Sequence, residues 1–238
     1  MRIAIVEDES GYSEFIANIL KSAGYSVYDF ATSTAFVKKF RRDTFDVVIL
    51  DWNLAELSGI ELLSWMRKDC QSSVPVVMLT SRSEPADIVT GLQSGADDYI
   101  AKPVDEAVLL ARLEALSRRC YPSEQGRQSQ VFGDFHFNVQ AEQLSIGDMP
   151  MTLTSKEFNL ALILFSNLSR PLSRTYLLES VWGRNPDLPT RTLDSHISRI
   201  RSKLGLRPEH GFRLTPIYSY GYRLEALTEA AVSPSLVA

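Results

Sequence analysis

The chain has 238 residues, of which 45% are apolar and 23% are charged. This balance excludes a disordered, collagenous or disulfide-scaffold protein, and the length suits two domains of ordinary size. The longest apolar run is six residues, far below the ~20 that cross a bilayer, and the first ten residues carry three acids, unlike a secretory signal. We therefore expect a cytoplasmic protein that does not contact the membrane.

The net charge of -4 is unevenly distributed along the chain. Residues 1–118 carry a net charge of -6, whereas residues 119–238 carry +2. Within 184–207 there are six basic and two acidic side chains. A local excess of positive charge is typical of nucleic-acid binding, although a solvated helix face produces the same pattern.

In the first half, short apolar runs alternate with amphipathic stretches. The apolar runs predict five strands at 3–6, 25–30, 46–50, 75–79 and 98–101. The stretches that follow them predict helices near 11–22, 33–42, 57–67, 84–94 and 105–117. Continuously apolar strands indicate a parallel sheet covered on both faces. The expected fold is an α/β, doubly wound (βα)5 domain.

A second domain is expected after a polar segment. Residues 120–130 contain no aliphatic side chain and predict a flexible linker between a domain at 1–119 and one at 131–226. The second domain is predicted to be α+β, with short antiparallel strands, helices and a terminal hairpin. The helices are predicted at 155–168, 173–182 and 190–204. The small, polar residues 227–238 predict a disordered tail.

Charged and hydroxyl side chains follow the predicted strands of the first domain. Glu7 and Asp8 come after the first strand, Asp51 after the third, Thr80 after the fourth and Lys102 after the fifth. Ligands bind at this edge of such sheets, and crowded carboxylates favour a hard cation such as Mg²⁺. We expect Asp51 to be a nucleophile towards a phosphoryl group, with Thr80 and Lys102 taking up charge on its oxygens. Each residue alone could be a cap or a surface charge, and it is the combination that favours a site.

The motifs IVEDE, DVVILDWNLAELSG, VVMLTSRSE and GADDYIAKP resemble those of response-regulator receiver domains. The resemblance covers residues 1–118 and implies phosphoryl transfer from a partner histidine kinase to Asp51, with Mg²⁺ held by Glu7 and Asp8. It implies that the backbone carbonyl of Asn53 completes the metal site. It also implies switch roles for Thr80 and Tyr99. Lys102-Pro103 is, by the same resemblance, expected to be a cis peptide bond.

Some positions depart from the receiver pattern. Ala55 stands where relatives usually have proline, a change that we expect to be harmless. Ile88 and Val108 stand where many relatives carry a basic and an acidic residue that pair across a receiver dimer, whereas Asp98 and Arg112 match another family pair. We expect a homodimer on activation that uses this face through apolar contact and depends weakly on salt.

The motifs LTSKEFNLALIL, LSRTYLLESVWG, RTLDSHISRIRSKL and YGYRL resemble the winged helix-turn-helix effector domain of OmpR/PhoB regulators. The resemblance implies that this half binds double-stranded DNA through Arg191, Ser195, Arg199 and Arg201, and that the loop at 183–189 touches RNA polymerase. Arg199 and Arg201 are about 200° apart around a helix, so we expect one to read bases and the other to contact phosphate.

Tyr218 and His196 also belong to this half of the chain. The arginine that relatives carry in the terminal hairpin is missing, and we expect Tyr218 to replace or weaken its minor-groove contact. His196 has no second candidate ligand nearby, so we expect a hydrogen-bonding framework residue and no metal there. The remaining helix positions form a core stripe, namely Leu193, Ile197, Ile200 and Leu204.

These features predict a phosphorylation-controlled, DNA-binding transcriptional regulator that is not an enzyme. One alternative is a regulator whose receiver assembles constitutively and does not respond to phosphorylation. Another is a Mg²⁺-dependent phosphohydrolase with an aspartyl-phosphate intermediate. Asn53 disfavours the phosphohydrolase, because haloacid-dehalogenase-like enzymes need a second aspartate at that position.

Overall fold

The computed structural model describes residues 1–81, 91, 93–120, 128–184 and 191–227, which form two compact units. Within these described residues, the first unit contains a parallel sheet, and the second contains two antiparallel sheets, three α-helices and a short 3-10 helix (Pro208–His210). Among the described helices, none combines the length and the apolar character needed to span a membrane.

The parallel sheet of the first unit has the strand order β2-β1-β3-β4-β5. Its strands are β1 (Arg2–Val6), β2 (Ser26–Phe30), β3 (Val47–Asp51), β4 (Val76–Thr80) and β5 (Asp98–Ala101). The described helices around it are α1 (Ser10–Ser22), α2 (Ser33–Phe40), α3 (Gly59–Lys68) and α4 (Glu106–Cys120). The doubly wound fold expected from the sequence is confirmed. Most of the helix predicted at 84–94 lies outside the described residues.

Both faces of this sheet are covered, because successive side chains of a strand point to opposite faces. Ile3 and Ile5 of β1 lie in the core formed with α1 and α4. Ala4 and Val6 lie in the opposite core, which contains Phe36 of α2 and residues of α3. This two-sided burial leaves the ends of the strands as the places where polar side chains can gather.

The second unit has a four-stranded sheet and a three-stranded sheet, with strand orders β6-β7-β8-β9 and β10-β12-β11. The first of these contains β6 (Ser129–Phe132), β7 (Phe135–Asn138), β8 (Gln143–Ile146) and β9 (Met149–Met151). The second contains β10 (Leu172–Ser173), β11 (Phe212–Ile217) and β12 (Gly221–Ala226). The helices are α5 (Ser155–Ser166), α6 (Arg174–Trp182) and α7 (Arg191–Lys203). The predicted winged helix-turn-helix architecture is confirmed.

The sequence missed several details of this unit. β6 begins at Ser129, inside the segment predicted as linker, because Ser129 and Gln130 pair with β7. β9 and β10 have three and two residues, too few to show the alternation that predicts a strand. Cys120, predicted as linker, is the last residue of α4, and Leu227, predicted as tail, donates through its N–H to the carbonyl of Gly211. Linker residues 121–127 and tail residues 228–238 lie outside the described residues.

Candidate functional site

Three carboxylates meet at the carboxyl edge of the parallel sheet. Glu7 and Asp8 follow β1, and Asp51 is the last residue of β3. Carboxylate oxygens of the three lie within 4.8 Å of one another. Glu7 and Asp51 are buried, whereas Asp8 is exposed. The strand order reverses between β1 and β3, so the cluster lies at the position where ligands bind in such sheets.

Lys102 bridges two of these carboxylates. Its Nζ donates a hydrogen bond to Oε2 of Glu7 at 2.7 Å and lies 3.1 Å from Oδ1 of Asp51. The same Nζ lies 4.5 Å from the ring centre of Tyr12, whose hydroxyl accepts a hydrogen bond from the backbone N–H of Val104. The Lys102-Pro103 peptide bond is cis, as expected. The ammonium group is thus held beside the carboxylate that was predicted to be the nucleophile.

The cluster carries more negative than positive charge. Burial raises the pKa of Glu7, and the charge of Asp51 raises it further. Burial also raises the pKa of Asp51, with a smaller contribution from Asp8. Burial works against the charged form of Lys102, but hydrogen bonds to Glu7 and Asp51 outweigh it and raise the pKa of the ammonium. A hard divalent cation neutralises such a surplus, and the oxygen donors present fit Mg²⁺.

The loop from Trp52 to Ser58 returns the chain from Asp51 to α3, and it contains the exposed Asn53. The N–H of Gly59 donates to the carbonyl of Trp52 at 2.9 Å. A Cβ at position 59 would lie 2.1 Å from the carbonyl oxygen of Asp51, so only glycine fits there. The side chain of Ser58 accepts from the N–H of Glu61 in a capping box that starts α3. The backbone beside Asp51 is therefore tightly restrained.

The two predicted switch residues lie on neighbouring strands. Thr80 is the buried last residue of β4, and Tyr99 lies on β5 opposite Met78. The ring of Tyr99 is 9% exposed and belongs to the core that contains Trp52. A Cβ at Gly91 would contact both rings, at 3.3 Å from Trp52 and 3.6 Å from Tyr99. The Tyr99 side chain is therefore turned inward.

The residues predicted for a dimer face have different surroundings. Arg112 donates to Asp98 at 2.7 Å, so this ion pair forms within the chain. Val108 on α4 is 43% exposed, which is high for an aliphatic side chain. Ile88 lies outside the described residues.

Helix α7 separates buried from exposed residues along its length. Arg191, Ser195 and Arg199 recur every four residues and are exposed, so they lie on one face. The core stripe predicted for this helix is buried and comprises Leu193, Ile197, Ile200 and Leu204. The hydroxyl of Ser195 donates to the carbonyl of Arg191 at 3.1 Å. The helix thus presents two arginines on a polar face.

Arg201 and His196 do not belong to this exposed face. Arg201 is half-buried, and its guanidinium donates to the carbonyl of Leu214 in β11 at 3.0 Å. His196 Nδ1 lies 2.8 Å from the carbonyl of Thr192, and its ring meets Trp182 edge-on. Within the described part of the chain, no metal-ligand cluster includes His196.

The tip of the terminal hairpin carries an exposed aromatic residue. Tyr218 is 97% exposed, and the N–H of Tyr220 donates to the carbonyl of Ile217 to close the turn. Ser219 takes a φ of 54°, in the left-handed region. Gly221 allows β12 to approach β10, because a Cβ there would lie 2.0 Å from the carbonyl of Leu172.

Sequence reasoning missed a polar network that joins three elements of the second unit. Arg174 at the start of α6 donates to both carboxylate oxygens of Asp194 at 2.6 Å, and the hydroxyl of Tyr222 donates to one of them at 2.6 Å. Partial burial opposes ionisation, but these hydrogen bonds lower the pKa of Asp194. No spacing rule connects residues that are so far apart in sequence. Tyr12 was also missed, although its position four residues after Asp8 hinted at the pocket.

Comparisons with known proteins agree with this architecture. The family model described as "Response regulator receiver domain" matches residues 3–114. The model described as "Transcriptional regulatory protein, C terminal" matches residues 148–224. Together these two matches cover most of both units.

Several curated relatives match over nearly the full length. RegX3 of Mycolicibacterium smegmatis, a sensory transduction protein, is 35% identical over 94% of this chain and 98% of the relative. CreB of Escherichia coli, a transcriptional regulatory protein, is 36% identical over 94% and 97%. PhoB of Klebsiella pneumoniae, the phosphate regulon transcriptional regulatory protein, is 32% identical over 94% and 98%. This chain therefore belongs to the OmpR/PhoB family of two-component response regulators, transcriptional regulators that join a receiver domain to a winged-helix DNA-binding domain.

Proposed function

We propose that a partner histidine kinase transfers a phosphoryl group to Asp51 and that this phosphorylation controls DNA binding. The observation that carries the proposal is the cluster of Glu7, Asp8 and Asp51 with Lys102 hydrogen-bonded inside it. Its residues supply a nucleophile, oxygen donors for Mg²⁺ and a cation for the phosphoryl oxygens.

Each residue of the pocket has a separate role in this transfer. Glu7, Asp8, Asp51 and the backbone carbonyl of Asn53 hold Mg²⁺, which when bound neutralises charge on the phosphoryl oxygens. A carboxylate oxygen of Asp51 forms the new bond to phosphorus as the bond from phosphorus to the kinase imidazole breaks. Lys102 stands 3.1 Å from Asp51 and can pair with a second phosphoryl oxygen.

Thr80 and Tyr99 then couple phosphorylation of Asp51 to a conformational change of the receiver domain. The hydroxyl of Thr80 binds a phosphoryl oxygen, and Tyr99 changes its packing on β5 in response. The adjacent face, which includes Ile88, Asp98, Val108 and Arg112, forms the homodimer of the activated protein. Val108 supplies apolar contact there, so dimerisation depends weakly on salt.

The second unit binds duplex DNA with α7 in the major groove and the hairpin of β11 and β12 as the wing. Arg191 contacts phosphate, Ser195 and Arg199 face the base edges, and Tyr218 meets the DNA at the wing tip. Arg201 is left out of this contact set, because its guanidinium hydrogen-bonds within the unit. RNA polymerase is a further partner, met at the loop 183–189, most of which lies outside the described residues.

The two-domain division is kept, with the second domain starting at β6, because Ser129 and Gln130 pair with β7. The receiver domain spans 1–120, because α4 ends at Cys120, and the DNA-binding domain spans 129–226, because β6 begins at Ser129.

Sedimentation of the full chain tests the proposal. The protein is compared with and without beryllofluoride, a phosphoryl mimic, in the presence of Mg²⁺. We expect a dimer that depends on the mimic and is absent in the Asp51→Ala variant. An assembly state that is the same with and without the mimic would favour the phosphorylation-independent regulator instead.

A further inference from the structure

Two polar contacts attach the recognition helix α7 to the terminal hairpin. Near its start, Asp194 accepts a hydrogen bond from the hydroxyl of Tyr222 in β12. Two turns later, Arg201 donates to the carbonyl of Leu214 in β11. Residues seven apart lie on the same side of a helix, so Asp194 and Arg201 form one stripe that faces both strands.

The contact made by Arg201 is directed at the open edge of the sheet. β11 is an edge strand, with β12 on its other side. Pro216 has no N–H and pairs with Tyr222, so this pair is not hydrogen-bonded, and neither is the Leu214 and Leu224 pair two residues away. The Leu214 carbonyl therefore points away from β12, towards the edge where Arg201 meets it. This edge carbonyl would otherwise lack a partner in the sheet.

The rest of the Arg201 side chain is also turned into the domain. Position 201 is one turn after the buried Ile197 and next to the buried Ile200. Its Nε is buried and has no hydrogen-bond partner among the described residues. The exposed face of Arg191 and Arg199 lies on another side of the helix. The geometry leaves this guanidinium poorly placed to reach a DNA phosphate.

We propose that Arg201 is a positioning residue, which with Asp194 holds both strands of the hairpin against the recognition helix so that helix and wing meet DNA as one unit. This inference rests on the proposed DNA binding of the second unit. It differs from the role that the family resemblance implied for Arg201, which was direct contact with DNA. We call each of the two hydrogen bonds, Arg201 to Leu214 and Tyr222 to Asp194, a tie. The tie from Arg201 restrains the wing, because β11 leads directly to Tyr218 at the wing tip.

Salt-dependent DNA binding separates positioning from direct contact. The full-length protein is titrated with a labelled mixed-sequence DNA duplex at several salt concentrations, and affinities are expressed per active, folded molecule. The variants are Arg201→Gln, Tyr222→Phe and, as the matched control, Arg191→Gln. Tyr222→Phe removes one hydroxyl and keeps the ring, so it tests the second tie without touching the exposed face.

Arg201→Gln and Tyr222→Phe are expected to weaken binding about two- to tenfold, the effect of one lost hydrogen bond, with an unchanged salt slope. Arg191→Gln is expected to reduce the slope by about 0.9, the value for one phosphate contact. A slope reduction of that size in Arg201→Gln, or unchanged affinity in either tie variant, would overturn the inference. A wild-type protein that fails to bind the duplex would overturn the proposed function instead.

Discussion

In the receiver pocket, charged side chains converge and are buried, whereas on the recognition helix they stand apart and are exposed. Glu7 and Asp51 share Lys102, and both carboxylates raise the pKa of its ammonium group. Arg191 and Arg199 lie on one face of α7 and are exposed to solvent. Coupled, buried groups act as a unit, and independent surface groups contribute separately. Substitutions in the pocket should therefore have larger effects than substitutions on the exposed face of α7.

The largest effect is expected for the nucleophile. Asp51→Asn should abolish phosphorylation by the small donor acetyl phosphate, because an amide oxygen is not a comparable nucleophile. Intact-mass measurement detects the phosphorylated chain. The matched variant Asp8→Asn keeps the nucleophile and should regain phosphorylation when Mg²⁺ is raised. Phosphorylation of Asp51→Asn to the wild-type level would show that Asp51 is not the phosphoacceptor.

The backbone beside the pocket should tolerate little change. Gly59→Ala is expected to cost about 2–3 kcal/mol of the free energy of unfolding, because the new Cβ overlaps the carbonyl of Asp51. Gly11→Ala in α1 meets no atom within 4 Å and should instead stabilise the protein by about 0.5–1 kcal/mol. Urea unfolding measures both. Equal effects in the two variants would contradict the restraint inferred around Asp51.

The pocket should couple Mg²⁺ binding to pH. The pKa values of Glu7 and Asp51 are raised by burial, so in the metal-free protein their contribution to stability is present at low pH and is lost as pH rises through these values. Mg²⁺ binds the deprotonated groups and offsets this loss, by up to about 2.7 kcal/mol at a hundredfold excess over its dissociation constant.

Thermal melts with and without Mg²⁺ measure this coupling. The Mg²⁺-induced rise in Tm should be larger near about pH 7.5 than near about pH 5. The control variant Glu7→Gln should show a smaller dependence on pH. A larger Mg²⁺-induced rise in Tm at the lower pH would contradict Mg²⁺ binding to these deprotonated carboxylates.

The smallest effect is expected at the wing tip. Tyr218→Ala should leave the free energy of unfolding within about 0.5 kcal/mol of wild type, because the side chain is 97% exposed. It should weaken duplex binding about threefold, equivalent to less than 1 kcal/mol. Tyr218→Phe separates the ring from the hydroxyl and should bind nearly as wild type. A loss of affinity much larger than threefold in Tyr218→Ala would indicate a wing inserted deeply into the DNA and would contradict a peripheral contact.

Much of the pocket was predictable because local sequence and sheet geometry determine it together. Residues after parallel strands must meet at one edge, so Glu7, Asp51 and Lys102 could be brought together before any distance was known. The charge excess of the pocket followed from counting these residues. What could not be predicted was that Lys102 would sit between two carboxylates and against the ring of Tyr12.

On the second unit, periodicity determined which face of α7 is buried and which is exposed, but not the partners of the residues at the border. The family resemblance assigned Arg201 to DNA, yet its guanidinium donates to a backbone carbonyl within the unit. Asp194 and Tyr222 are 28 residues apart and meet only because α7 packs beside the hairpin. Helix and strand patterns repeat over a few residues and are visible in the sequence, whereas contacts between distant elements depend on how those elements pack.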